Sequence, residues 1–125
     1  MEDLPATARF DAATCLYVLH FLPNDAKLAV LRGIARRLRP DGLALVAAGV
    51  RRDFGGLQDD VAGARRQYAQ RLGMSAEQMA AILARLTTPS DGATEEDYPL
   101  LLREAGFQRV TRYFHALAAI GWIAR

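Results

Sequence analysis

At 125 residues the chain forms at most one small domain, long enough to bury roughly 65% of the surface its unfolded form exposes. Half of the residues are apolar and a quarter charged, which excludes a disordered chain, and a net charge of +2 is too small to point to nucleic acid. Cys15 is the only cysteine, so an intrachain disulfide is excluded. The opening Met1-Glu2-Asp3-Leu4-Pro5 lacks the basic and apolar regions of a signal peptide. No apolar run approaches the ~20 residues of a membrane span, so a cytoplasmic protein is the default.

Phe10 to Leu19 is an apolar run rich in β-formers without helical periodicity. It predicts a strand buried on both faces, the pattern of a parallel sheet. Asn24 or Asp25 then caps a helix whose Leu28, Leu31, Ile34, Ala35 and Leu38 make one apolar stripe, with Arg32, Arg36 and Arg37 off it. Pro40 ends that helix, Asp41-Gly42 makes the turn, and Leu43 to Val50 is a second buried strand. Strand, helix and strand joined this way form a right-handed βαβ unit.

Arg51 to Asp60 reads as a loop. Val61 to Leu72 is predicted helical, with Ala64, Tyr68 and Leu72 on its apolar face. Ser75, three residues before Gln78, makes a capping box for a further helix, and Met74 and Met79 stand where a hydrophobic staple places them. Met79, Ile82, Leu83 and Leu86 are its stripe, and Thr87 to Ala93 is a loop. Leu100 to Ala105 forms the body of another helix, stopped by Gly106. Thr94 is a cap with Asp97 three residues on, but that start would set Pro99 inside the helix. Phe107 to Phe114 and Ala118 to Ala124 are strands too close together for a crossover, so they form a hairpin.

Four local patterns then occur in order. Phe10-Asp11-Ala12-Ala13 resembles the strand opening Phe-Asp-x-Val of the class I S-adenosylmethionine-dependent methyltransferases. Leu38-Arg39-Pro40-Asp41-Gly42 resembles that family's Leu-Lys/Arg-Pro-Gly-Gly turn, with Asp41 in place of the first Gly. Leu101-Leu102-Arg103-Glu104-Ala105-Gly106-Phe107 resembles its Leu-Leu-x-x-Ala-Gly-Phe junction, and Glu2-Asp3-Leu4-Pro5 the segment after its adenine-contacting acid. Together they resemble the carboxyl-terminal half of the family. Asp60 to Leu86 and the ending Tyr113-Phe114-His115-Ala116-Leu117 most resemble the subgroup of carboxy-S-adenosylmethionine synthases that serve the tRNA wobble uridine.

The resemblance implies an α/β fold: a partial Rossmann-like methyltransferase sheet, with a βαβ unit, a helical lid-like insert over residues 51–93, a helix and a terminal hairpin, all in one domain over residues 1–125. It implies S-adenosylmethionine as cofactor, bound at the carboxyl ends of the strands, with this chain supplying one wall of the crevice. Glu2, Asp3 and Leu4 would lie by the adenine. Cys15, Leu16 and Tyr17 would line the methionine part, and His20 and Phe21 would stand near the transferred methyl. His20 is then the candidate catalytic residue, since a neutral imidazole suits proton transfer near pH 7. Tyr68 and Arg71 on the insert are the substrate-side candidates. The family's glycine-rich turn and ribose-binding acid have no counterpart in this stretch, so weak or absent cofactor binding by the chain alone is expected.

The competing readings are plain. Cys15 in an apolar strand reads as a core residue rather than a nucleophile. His20, His115 and Cys15 lack metal-ligand spacing, so no metal is expected. Arg32, Arg36, Arg37 and Arg39 read as a solvated helix face, not a nucleic-acid surface, because no aromatics interleave. Against methyl transfer to a small-molecule or RNA acceptor stands a non-catalytic half-domain module that associates with itself or with a separate amino-terminal half. Either way, a Phe10–Leu19 strand lacking a neighbour on one side predicts a homodimer through that edge.

Overall fold

The computed structural model describes residues 4–5, 7–87 and 93–125, leaving aside the side chains of 83–87. β1 (Phe10–Leu16) leads through a single 3-10 turn (Leu19–Phe21) to α1 (Asn24–Arg37) and β2 (Leu38–Gly49). The insert carries α2 (Gln58–Arg71) and α3 (Ala76–Thr87). α4 (Asp97–Glu104), β3 (Val110–Ala116) and β4 (Ala119–Ala124) complete the chain. The four strands form one sheet in the order β1-β2-β4-β3, with β1 parallel to β2 and β4 antiparallel to both its neighbours. The expected βαβ unit, helical insert, helix and terminal hairpin are all present.

α1 and α4 pack on one face of the sheet, where Leu31, Val46, Leu102, Ile120 and Trp122 are fully or almost fully buried. Tyr98 of α4 stacks on Trp122 of β4 with ring centroids 4.9 Å apart. The Arg32–Glu104 pair, at 3.3 Å, joins the two helices across an exposed rim, where such a pair adds little stability. On the opposite face Leu43, Ile123 and Tyr113 are exposed.

Several expectations need correction. Five of the seven β1 residues are exposed, where a strand buried on both faces was expected, and among the described residues β1 is paired only with β2. Pro40, Asp41 and Gly42 do not form a turn between helix and strand. β2 begins at Leu38, directly on the end of α1, and those residues lie in an irregular stretch: Phe10 pairs with Leu38, but Ala12 already pairs with Leu43. Neither Asn24 nor Asp25 caps α1, whose N-cap is Pro23 without a side-chain bond. Asn24 Oδ1 accepts from Lys27 Nζ instead, at 3.2 Å.

α2 starts at Gln58, earlier than its apolar pattern, and Tyr68 and Leu72 face solvent while Ala69 is buried. The covered side of α2 is thus the one that carries Ala69. It meets α3 in a cleft of about 140 Å³ that Ala69, Met74 and Met79 help to line. The capping box is as expected: Ser75 N–H donates to Gln78 Oε1 at 2.9 Å, and Gln78 N–H donates to Ser75 Oγ at 3.1 Å. Ile82 is exposed, and the expected loop over Thr87 to Ala93 falls mostly outside the described residues. Pro99 lies in the first turn of α4, where its missing N–H would have had no intrahelical acceptor.

Candidate functional site

The parallel strands place their carboxyl ends together, and the chain turns sharply there. Tyr17 N–H still bonds Ala47 O at 2.7 Å, extending the β1–β2 ladder, but its φ of 56° lies in the left-handed region. For a residue with a Cβ that conformation is strained, and it is held in place by the ladder bond. The turn swings the 3-10 segment back over β2, so that His20 packs against Gly49. A Cβ on Gly49 would meet the imidazole ring at 3.7 Å, so the glycine leaves the ring lying on bare backbone. Gly49 N–H donates to His20 Nδ1 at 3.2 Å.

That bond sets the chemistry of His20. With Nδ1 accepting from a backbone amide, the neutral imidazole carries its proton on Nε2. Nε2 is buried and makes no hydrogen bond. The residue is 5% exposed, with the half-exposed Phe21 ring 4.1 Å from the imidazole and Tyr17 edge-on to it at 6.4 Å. Burial, then the nearby positive charge of Lys27, hold the imidazole below its ordinary pKa of 6.5, so it is neutral. As the ring stands, His20 offers a donor rather than a lone pair. A donor without an acceptor costs about 1–3 kcal/mol, and a ligand oxygen reaching it would recover that cost.

Sequence reasoning missed Lys27, which is fully buried in the first turn of α1. Its signal was available: Lys27, Leu31 and Ile34 follow the spacing of the apolar stripe. Lys27 also acts on Asp97. The carboxyl of Asp97 is held below the ordinary carboxylate range by the Thr94 backbone N–H at 2.7 Å and then by the Thr94 hydroxyl at 2.9 Å, with Arg51 and Lys27 adding to it. So Asp97 reaches back to Thr94 as a capping acid would, while the Thr94 hydroxyl donates to it instead of capping α4. Nearby, Glu95 pairs with both Arg52 and Arg112, and Arg52 also lies against the ring of His115. This cluster ties the segment after β2 to β3.

The other candidates divide. Leu16, Tyr17 and Phe21 are half-exposed around the carboxyl end of β1, as a crevice wall requires. Cys15 is buried and lines a cavity of about 380 Å³ with Leu4, Phe10, Val30 and Ile34. Burial raises its thiol pKa, which disfavours a thiolate nucleophile. Leu4 is exposed beside that cavity, and Glu2 and Asp3 lie outside the described residues. Tyr68 and Arg71 are exposed on α2, whose main packing is on its own preceding turn and on α3. Among the described residues no group of three His, Cys, Asp or Glu side chains is placed to hold a metal, and no helix is long and apolar enough to cross a membrane.

A family model described as a methyltransferase domain matches residues 1–46, which run through β1 and α1 into β2. Human N-acetylserotonin methyltransferase, solved with S-adenosylmethionine, superposes with a TM-score of 0.59 at 19% identity over 98% of this chain and 31% of its own. The mitomycin 7-O-methyltransferase gives 0.58 at 20% identity, over 99% of this chain and 31% of its own. This chain has the fold of one part of a class I methyltransferase. A pericyclic reaction enzyme also matches, with a TM-score of 0.57 at 12% identity over 94% of this chain and 26% of its own. The chain therefore spans about a third or less of these structures. The narrower likeness to carboxy-S-adenosylmethionine synthases is not carried by these matches. No curated protein matches the sequence.

Proposed function

We propose that this chain supplies one wall of a site for methyl transfer from S-adenosylmethionine, formed by Leu16, Tyr17, His20 and Phe21. The observation that carries this reading is the methyltransferase-domain match over residues 1–46, which contains all four. Fold alone would not suffice, because one fold hosts unrelated chemistries. The residues present fit the cofactor in part. Half-exposed apolar side chains at a strand's carboxyl end suit its methionine or adenine part, and the unpartnered Nε2–H suits an oxygen. Among the described residues no carboxylate is placed on this wall to hold a ribose.

S-adenosylmethionine, when bound, supplies the electrophilic methyl group. In this reading His20 orients: its Nε2–H holds an oxygen of the acceptor or cofactor, and its Nδ1 is fixed by Gly49. Taking a proton from the acceptor at Nε2 would first require the ring to give up the Gly49 bond and change tautomer. Because Nε2 is closed to solvent, access also needs a neighbouring side chain to move, and the half-exposed Phe21 has the freedom to do so. A substrate role for Tyr68 and Arg71 requires the insert to close over the same end of the sheet.

The test is titration of the labelled chain with S-adenosylhomocysteine, followed by amide and imidazole NMR. Weak binding is expected, with shift changes confined to Leu16, Tyr17, His20, Phe21 and Gly49. Binding with shift changes elsewhere, and none at these five residues, would remove this site from consideration.

A further inference from the structure

We propose that Arg52 and Arg112 form a carboxylate-binding site at the carboxyl end of the sheet, and that the acceptor of the methyl group carries the carboxylate. The identity of that acceptor rests on the methyl-transfer reading; the anion site stands without it. Each guanidinium reaches a different oxygen of one side chain: Arg52 Nη1 lies 3.5 Å from Glu95 Oε2, and Arg112 Nη1 pairs with Oε1. Two positive charges thus share one negative. The pairs Arg32–Glu104, Arg39–Asp11 and Arg125–Asp41 match one charge with one. The excess charge is not needed to hold the segment after β2 in place. Val50 N–H donates to Ala118 O and Arg51 N–H to Ala93 O, both at 2.8 Å, so the backbone already joins that segment to the β3–β4 turn and to the residues before α4. Glu95 is the chain's own stand-in for a ligand carboxylate.

The position suits an acceptor. β3 runs antiparallel to β4, and β4 antiparallel to β2, so β3 ends where β1 and β2 end. Arg52 follows Gly49, the residue bonded to His20, by three positions. Arg112 pairs with Trp122 and so projects to the face that α4 covers, toward Glu95 just ahead of α4. β3 lies two strands from β2, roughly 10 Å across the sheet. A small molecule with its reacting atom at His20 and its carboxylate at Arg52 and Arg112 spans that distance. The cluster is built at the sheet edge opposite β1, from residues of this chain alone. The side chains of Arg52 and Arg112 are 38% and 50% exposed, and that of Glu95 27%, so a ligand in solution can exchange with Glu95. A planar guanidinium offers parallel N–H donors that match a carboxylate, and the ring of His115 lies against Arg52 and steadies it.

Titration with sodium benzoate, read from the arginine Nε–Hε signals of the labelled chain, tests the proposal, with neutral benzamide as the control. Benzoate should shift Arg52 and Arg112, and benzamide should not. Glu95→Gln removes the internal competitor and should tighten benzoate binding about fivefold, the weight of a well-formed exposed ion pair. Arg52→Gln with Arg112→Gln should abolish binding, whereas Arg32→Gln on α1 should leave it unchanged. Each variant is checked for native circular dichroism, and the wild type against the double arginine variant remains a full test should Glu95→Gln not fold. Equal shifts at Arg32, equal shifts with benzamide, or a folded Glu95→Gln variant that binds no tighter overturn the proposal. The titration contains no cofactor, so its outcome is separate from that with S-adenosylhomocysteine. Benzoate bound at Arg52 and Arg112, with S-adenosylhomocysteine bound away from His20, would refute the methyl-transfer reading alone. No response to benzoate, with S-adenosylhomocysteine bound at His20, would refute the carboxylate site alone.

Discussion

Gly121 offers a test in which one substitution should change sign with its surroundings. It lies in β4, paired with Ala47 on one side and Phe114 on the other. A Cβ there would come within 2.8 Å of Tyr113 Cε1 and 2.9 Å of Cζ, closer than real Cβ contacts allow. Tyr113 is half-exposed, so its ring can swing away at the cost of a displaced rotamer and lost contact, about 1 kcal/mol. An alanine also gains about 0.5 kcal/mol through the unfolded state, so Gly121→Ala should destabilise the chain by a net of about 0.5 kcal/mol. In a Tyr113→Ala background the obstruction is gone. Gly121 does not have a positive φ, so alanine can adopt its backbone, and Gly121→Ala should then stabilise by about 0.5 kcal/mol through the unfolded state. The coupling between the two sites comes to roughly 1 kcal/mol, above the additive error of about 0.5 kcal/mol. Urea unfolding of the four proteins, at one fixed chain concentration, measures it. Effects of equal sign and size in both backgrounds would show that the ring does not close over the glycine.

Lys27→Met should raise the pKa of His20, followed by imidazole NMR with the exposed His115 as the second signal. The rise should recover less than half of the depression, because burial is the larger cause and remains; no rise would remove Lys27 from the site's electrostatics. Since the folded His20 pKa is depressed, its contribution to stability is fully present above the ordinary imidazole value of 6.5 and is lost as pH falls below it towards the folded pKa. Urea midpoints should drop across that window, and His20→Leu should flatten the drop. Asp97 adds a second loss at lower pH, as pH falls from its ordinary value of 3.8 through its depressed folded one, which Asp97→Asn should remove. Ser75→Ala breaks the capping box and should cost about 1 kcal/mol, seen as lost helical signal at intermediate urea; an unchanged curve would show that the cap adds nothing to α3.

What could be read in the sequence was whatever local chemistry decides. The Ser75–Gln78 box and the terminal hairpin depend on neighbours in the chain, and both are present, the box where its pattern placed it and the hairpin turning over residues 117–118 instead of His115 to Leu117. His20 was legible as a candidate, but its tautomer was not, because that follows from an amide 29 residues away. Burial of β1 failed for a related reason: an apolar run tells that a strand prefers cover, and only topology tells whether cover exists. Pro40 to Gly42 carried turn chemistry yet became part of a strand, since the sheet absorbed the extra residues as an irregularity beside Phe10. Lys27 was hidden by its own charge, which outweighed its place on an apolar stripe. The candidates Tyr68 and Arg71 depended on how the insert sits over the sheet, which no local pattern determines.

The insert between Gly49 and α4 also bears on how the fold tolerates change. Its two helices pack on each other and on the turn before them, so lengthening or shortening it leaves the layer between sheet and helices intact. The loop-closure cost of such changes grows only with the logarithm of length, and doubling a flexible connection adds about 0.6 kcal/mol. Opening of α2 and α3 need not disturb the β2–β4 ladder, so their amides should exchange with solvent as a separate, weaker unit than those of the strands. The sheet acts as a fixed frame, and the insert is the part in which new recognition can accumulate without refolding that frame.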